Sequence, residues 1–154
     1  MISLASQGPY PLTTLMARDI PSANATARIF PLSRPSFISI VDDDESVRTA
    51  LSSLMRSLGF AAEAFGSAEE FLASPRLNDT SCLVVDVQMP GMSGLELQSE
   101  LAAHDWRMPV IFITAFPEER IRKRAEAAGA AGFFGKPVDS LALIQCLDAA
   151  LKNN

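Results

Sequence analysis

The feature that most constrains the fold is an alternation, repeated five times, of short apolar runs with segments of helical periodicity. The apolar runs end in turn or polar residues, which is typical of strands buried on both faces. Because parallel strands need crossover connections, the pattern predicts an α/β fold with helices on both faces of a parallel sheet, a three-layer α/β/α sandwich. The predicted strands cover residues 37–41, 61–65, 82–85, 109–114 and 132–135.

The first 36 residues differ from the rest of the chain. They contain five prolines and many Ser, Ala and Thr residues, and no helical or strand periodicity survives that proline density. We therefore expect a disordered N-terminal extension over residues 1–36 and a folded domain over residues 37–154. A wrongly assigned start, with Met16 as an internal one, and a targeting segment stay open as alternatives.

The charge distribution bears on the possible partners. The whole chain carries a net charge of −5, but residues 1–36 hold three arginines against one aspartate, so the remainder carries −7. An acidic domain is a poor ligand for a phosphate backbone, so direct nucleic-acid binding is not expected.

The sequence shows neither an apolar run long enough for a membrane span nor a signal peptide, and we expect a cytoplasmic protein without membrane association.

The two cysteines, Cys82 and Cys146, both fall on apolar faces of predicted elements. We expect reduced core residues, with a disulfide as the alternative.

Polar side chains lie at the carboxyl ends of four of the predicted strands: Asp42 and Asp43, Asp86, Thr114 and Lys136. In a parallel sheet these strand ends share one edge, so the side chains should converge. Carboxylates that lie close together repel one another unless a cation is shared, and hard oxygen ligands suit Mg²⁺. Together with a lysine and a hydroxyl, they predict a site for phosphoryl transfer with an aspartate as nucleophile.

Each of these residues also has a purely structural interpretation. The acidic run after the first strand could cap the following helix, and we favour that role for Asp44. Asp86 could be a turn residue before Met89, and Lys136 could be a solvated loop charge. The combination of all these residues at one sheet edge favours a functional site.

Several motifs in order resemble the receiver domain of two-component response regulators, most closely receivers of the nitrogen-fixation regulator type. The resemblance covers residues 37–151 and implies a five-stranded parallel sheet in the flavodoxin-like order 2-1-3-4-5. The motifs that carry it are Val41-Asp-Asp43, Asp86 with Met89-Pro-Gly-Met-Ser-Gly94, Ile113-Thr-Ala115 and Phe133-Phe-Gly-Lys-Pro137, together with Ser67-Ala-Glu-Glu-Phe71.

The resemblance implies a role for each matching residue. Asp86 is expected to accept the phosphoryl group, and Mg²⁺ is expected to bind the side chains of Asp43 and Asp86, the backbone carbonyl of Gln88 and, through water, Asp42.

The remaining matching residues concern the acyl phosphate and the switch. Lys136 is expected to contact the acyl phosphate, with a cis peptide before Pro137. Thr114 and Phe133 are expected to act as the switch hydroxyl and the switch aromatic residue, the two side chains that change position when Asp86 is phosphorylated.

The function implied is that of a stand-alone receiver, since no output domain follows in the sequence. A histidine kinase or phosphotransfer protein would supply the phosphoryl group. A downstream protein or a second copy of the chain would bind the face formed by residues 118–128, Phe133 and the final helix. Self-catalysed phosphorylation and dephosphorylation would be the only chemistry, so we do not expect a metabolic enzyme.

The sequence leaves two alternative functions open. A hydrolase of the haloacid-dehalogenase type also uses an aspartate after a buried strand, but it needs a second aspartate where this chain has Gln88. A degenerate receiver would act as an unphosphorylated binding module, and the acidic pair, Asp86 and Lys136 argue against it.

Deleting residues 1–35 should leave the melting temperature nearly unchanged, because a segment without periodicity adds little to a core. Thermal unfolding of the two chain lengths, followed by circular dichroism, checks this. A large drop on deletion would show that the segment packs on the domain.

Overall fold

The computed structural model describes residues 35–153. Its sheet has five parallel strands in the order β2-β1-β3-β4-β5, so the predicted fold and strand order are confirmed. Residues 1–34 of the predicted extension lie outside the described residues, so the extension stays a prediction. The strands are β1 (Phe37–Val41), β2 (Ala61–Phe65), β3 (Cys82–Asp86), β4 (Val110–Thr114) and β5 (Gly132–Gly135).

One helix follows each strand, at bounds close to those predicted. A 3₁₀ turn, Pro75–Asp79, follows the second helix and was not predicted; the Ser74 hydroxyl caps it by accepting a hydrogen bond from the Arg76 amide. The helices are α1 (Glu45–Ser57), α2 (Ala68–Leu72), α3 (Gly94–Ala103), α4 (Glu119–Ala127) and α5 (Ser140–Lys152).

Short polar side chains set where the helices begin. Asp44 accepts the Ser46 amide at 2.9 Å, which confirms its predicted role as the cap of α1. Ser93 and Glu96 form a reciprocal capping box at α3. These caps fix the points at which the chain leaves the sheet edge, and therefore the positions of the strand-end residues that precede them.

The core lies on both faces of the sheet, because successive strand side chains point to opposite sides. Leu83, Val85 and Phe112 pack with residues of α2 and α3 on one face. Val84 and Ile111 pack with residues of α1 and α5 on the other. All β3 residues are buried, as a central strand covered on both faces requires.

The inward face of α5 differs from the sequence prediction. The helical spacing of Leu141, Ile144, Leu147 and Leu151 predicts that these four residues face the core. Leu141 is nevertheless 63% exposed, while Leu143 is fully buried. Two residues along a helix correspond to a rotation of about 200°, so the side chains of Leu141 and Leu143 cannot share a face. The sheet selects the stripe that contains Leu143 and Leu147, and the prediction for Leu141 was wrong.

Both cysteines are free thiols, as predicted, but only one belongs fully to the core. Cys82 is buried, and its burial raises the pKa of the thiol to about 12. Cys146 is partly exposed on α5, 3.3 Å from the Ala131 carbonyl. The prediction of a core position is therefore wrong in part for Cys146.

Among residues 35–153, none of the helices is long and apolar enough to cross a membrane.

Candidate functional site

The carboxyl ends of β1 and β3 bring three carboxylates together. Asp42 and Asp43 directly follow β1, and Asp86 is the last residue of β3, its paired neighbour. One carboxylate oxygen from each of the three lies within 4.8 Å of the others. The predicted convergence of these side chains is thus present in the structure.

The three carboxylates differ in exposure. Asp42 is fully buried and Asp86 is 5% exposed, whereas Asp43 is exposed to solvent. Asp42 is held by its own loop, because its Oδ1 accepts the Asp44 amide at 2.9 Å and its backbone carbonyl accepts Arg48 Nη1 at 2.7 Å. The site therefore has a buried floor and one acidic side chain at the solvent boundary.

Lys136, in the segment that follows β5, supplies the positive charge of the site. Its Nζ lies 2.8 Å from Asp42 Oδ2 and 3.3 Å from Asp86 Oδ2. The contact with Asp86 has hydrogen-bond geometry, whereas the shorter contact with Asp42 is an ion pair that leaves Asp42 Oδ2 without a well-aligned hydrogen-bond donor among the described residues. One lysine thus links two buried carboxylates across the sheet edge.

Burial and charge shift the acid–base properties of the site. Burial, aided by the nearby charge of Asp42, raises the pKa of Asp86, while Lys136 opposes this effect. Burial alone would lower the pKa of Lys136, but its contacts with Asp42 and Asp86 outweigh burial and raise it. The ammonium group therefore stays protonated, and Asp86 is the carboxylate whose ionisation costs more than usual.

These residues fit a divalent cation. Asp42, Asp43, Asp86 and Lys136 carry a formal charge of −2, which one divalent cation balances. The buried Asp42 Oδ2 is short of a hydrogen-bond donor, and an all-oxygen ligand set with one solvent-facing carboxylate suits Mg²⁺, which keeps part of its water shell.

The loop after β3 folds back on Asp86. The Gln88 amide lies 3.3 Å from Asp86 Oδ1, and the Gly94 amide donates to the Val87 carbonyl at 2.9 Å. A Cβ on Gly94 would collide with the Asp86 carbonyl oxygen, so only glycine allows this close approach. Gln88 is thus adjacent to the site, and its carbonyl as a metal ligand stays a prediction.

The two predicted switch residues lie on neighbouring strands. Thr114 is buried, and its hydroxyl accepts the Phe116 amide at 3.1 Å, while its carbonyl accepts the Lys136 amide at 2.7 Å. Phe133 is also buried, and its ring centroid lies 6.4 Å from that of Phe112. The backbone of β4 therefore connects Thr114 directly to the segment that carries Lys136.

The peptide bond between Lys136 and Pro137 is cis.

Two contacts of the site were not found from the sequence. Arg48, in the first turn of α1, donates to the Asp42 carbonyl. The two residues are only six positions apart, and this short separation could have suggested the contact. The Arg122 guanidinium lies 5.0 Å from the centroid of the Phe133 ring. No sequence pattern indicates this second contact, since it depends on how α4 packs beside β5.

An open parallel sheet of order 2-1-3-4-5 with an acidic pocket at its carboxyl edge defines a class of flavodoxin-like α/β proteins. Within that class, the sequence model of the response regulator receiver domain matches residues 38–148. The chain belongs to the response regulator receiver domain family, which confirms the resemblance seen in its motifs. Receiver domains of two-component systems bind Mg²⁺ at an acidic pocket and interact with histidine kinases or phosphotransfer proteins.

Individual relatives agree with this assignment. The chain is 41% identical to nodulation protein W of Bradyrhizobium diazoefficiens, over 79% of this chain and 54% of that protein. It is 43% identical to the response regulator protein TodT of Pseudomonas putida, over 77% of this chain and 52% of that protein. The crystal structure of FixJ-N superposes with a TM-score of 0.70 at 34% identity, covering 79% of this chain and 98% of that one. The chain spans about half the length of the curated relatives it matches.

Replacing Lys136 with Met should lower the free energy of unfolding by roughly 1–3 kcal/mol, because two buried carboxylates lose their counter-charge. The loss stays below that of a fully buried pair, since the pKa of Asp86 is already raised and its carboxyl group can take up a proton. Urea unfolding without divalent cations measures the change.

Lys152→Met is the matched control for this experiment. Lys152 lies 3.0 Å from Asp148 on the exposed side of α5, where an ion pair contributes at most about 1 kcal/mol. Equal losses in the two variants would contradict a structural role for the buried Lys136 contacts.

Proposed function

We propose that this receiver domain accepts a phosphoryl group on Asp86 from a histidine kinase or a phosphotransfer protein, in a reaction that depends on Mg²⁺. The observation that carries the proposal is the position of the Asp86 carboxylate, buried, 3.3 Å from Lys136 Nζ and within reach of Asp42 and Asp43. A nucleophilic carboxylate, a fixed cation and an acidic metal pocket are the parts that phosphoryl transfer requires.

The covalent step transfers the phosphoryl group from a nitrogen atom of the donor to an oxygen atom of Asp86. A carboxylate oxygen of Asp86 attacks the phosphorus of the donor phosphohistidine, the phosphorus–nitrogen bond breaks, and the imidazole leaves with the bonding pair and takes up a proton. The product is an acyl phosphate. Because the nucleophile must be ionised, the positive charge of Lys136 beside Asp86 favours the reactive form.

The residues that would hold Mg²⁺ are Asp43 and Asp86 through their side chains, Gln88 through its carbonyl and Asp42 through water. When bound, the ion neutralises negative charge on the phosphoryl oxygens as it develops. Lys136 would contact the phosphoryl oxygens after giving up part of its contact with the carboxylates. The buried position of Asp42 keeps this acidic floor in place throughout.

Output would proceed through a change at β4 and β5. The acyl phosphate adds about −1.5 to −2 charge and strong acceptor oxygens at Asp86. Thr114, whose hydroxyl now accepts the Phe116 amide, would turn to donate to those oxygens, and the buried Phe133 would follow into the vacated space. The surface formed by α4, Phe133 and α5 would then change shape and bind a protein partner or a second copy.

The net charge of −7 on residues 37–154 disfavours direct nucleic-acid binding by the domain as a whole. A cytoplasmic location and action without an output domain both stay predictions.

Incubation with Mg²⁺ and acetyl phosphate should add one phosphoryl group to the wild-type chain, as measured by intact mass spectrometry. Asp86→Asn should take up none, because an amide is not a nucleophile here, and omitting the divalent cation should also abolish the product. Asp79→Asn, which removes an exposed carboxylate from the 3₁₀ turn before β3, at the opposite end of that strand from Asp86, should react like wild type. Undiminished modification of Asp86→Asn would refute the assignment.

Replacing Thr114 with Ala should separate phosphorylation from output. Asp86 should still be modified, but the phosphorylated variant should gain less affinity for a partner or for itself, since the hydroxyl that senses the phosphate is missing. Size-exclusion chromatography and pull-downs with and without phosphodonor measure this gain. A response equal to that of wild type would contradict the switch.

A further inference from the structure

A seven-residue loop, 87–93, joins β3 to α3 and contains Gln88. Two of its attachments are local. The Gly94 amide closes the loop by donating to the Val87 carbonyl, and the Ser93 amide donates to Glu96 Oε1 at 2.8 Å within the capping box of α3.

At its start the loop is held by the Val87 amide, which donates to the Ile113 carbonyl of β4 at 3.0 Å, and near its end by an attachment from α2. Glu69, in the first turn of α2, accepts the Met92 amide on its Oε2 at 2.9 Å, across a separation of 23 residues. Two successive loop amides, those of Met92 and Ser93, are therefore each bound by a carboxylate from a different helix.

The loop backbone is shaped to receive Glu69. Gly91 has φ of +75°, a conformation that favours glycine. A Cβ at this position would lie 2.7 Å from Glu69 Oε2, so the absence of a side chain leaves the space that the carboxylate occupies. The Glu69 carboxylate therefore contacts the loop at two places, through its hydrogen bond with the Met92 amide and through its close packing against Gly91.

The adjacent glutamate, Glu70, makes different contacts. Glu70 accepts the Gly66 amide at 2.6 Å, and its own amide donates to Ser67 Oγ at 3.1 Å, so its contacts cap α2 itself. Neither of these contacts of Glu70 involves the loop between β3 and α3. The two neighbouring carboxylates, both exposed, thus provide a matched pair with separate structural effects.

We propose that Glu69 is a positioning residue for the magnesium and phosphorylation site, acting by fixing the loop that contains Gln88. This inference rests on the proposed function, in which the Gln88 carbonyl is a metal ligand. Without the Glu69 contact the Met92 amide turns to water and the loop gains freedom, which must be lost again each time the cation binds. Glu69 itself does not touch the reacting atoms.

The test compares Mg²⁺ binding by the full chain and three variants, followed by amide NMR chemical shifts. Glu69→Ala should raise the Mg²⁺ concentration at half-saturation by roughly 2- to 10-fold, the effect of one lost hydrogen bond. Glu69→Gln should restore most of the affinity, because its amide oxygen still accepts from Met92 while the charge is gone. Glu70→Ala should leave the half-saturation point unchanged.

Amide hydrogen exchange in the same samples shows where each variant acts. Protection of the Met92 amide should fall in Glu69→Ala but not in Glu70→Ala, and protection of Gly66 should show the opposite pattern. Unchanged Mg²⁺ affinity in Glu69→Ala overturns the proposal. So does an equal loss in Glu69→Gln, which would point to charge, or in Glu70→Ala, which would point to general loosening of α2.

A different result would refute the proposed function without deciding the role of Glu69. A wild-type chain that binds Mg²⁺ but takes up no phosphoryl group from acetyl phosphate would refute phosphoryl acceptance, while the Mg²⁺ comparison would still decide the role of Glu69.

Discussion

The structure depends above all on the electrostatic balance between the buried carboxylates Asp42 and Asp86 and the ammonium group of Lys136. With carboxylate oxygens within 4.8 Å, the repulsion between two charges is on the order of 3 kcal/mol at an effective dielectric constant of about 20. Lys136 lies closer to each carboxylate than that limit and offsets the repulsion, but Asp43 leaves an excess of negative charge. The site is therefore stable enough to fold and still attractive to a divalent cation.

The parallel sheet makes this arrangement possible. Strands that run in one direction deliver all their carboxyl ends to one edge, and β1 lies directly beside β3 because the chain order places β2 outside them. The side-chain alternation of each strand then fills the two faces with apolar residues. The carboxylates Asp42 and Asp86 lie at the carboxyl edge, where Thr114 ends β4 and Lys136 follows β5.

Most of the architecture could be predicted from the sequence because its signals are local. Apolar runs, caps such as Asp44 and Ser93, and the acidic residues after β1 and β3 all appear within short windows. Features that depend on tertiary packing could not be predicted. The exposed face of α5 at Leu141 was predicted wrongly, since apolar residues lie all around that helix and only the sheet selects among them. Glu69 on Met92 and Arg122 over Phe133 join segments whose relative placement no local pattern encodes.

We propose the carboxylate of Asp86, in this balanced cluster, as the nucleophile. Chemical trapping tests it most directly: borohydride reduces an acyl phosphate to the alcohol, which turns a phosphorylated aspartate into homoserine at its place in the chain. After reaction with Mg²⁺ and acetyl phosphate, reduction and peptide sequencing by mass spectrometry should find homoserine at position 86 alone. Homoserine at position 42 or 43, with Asp86 unchanged, would contradict the proposed role of Asp86.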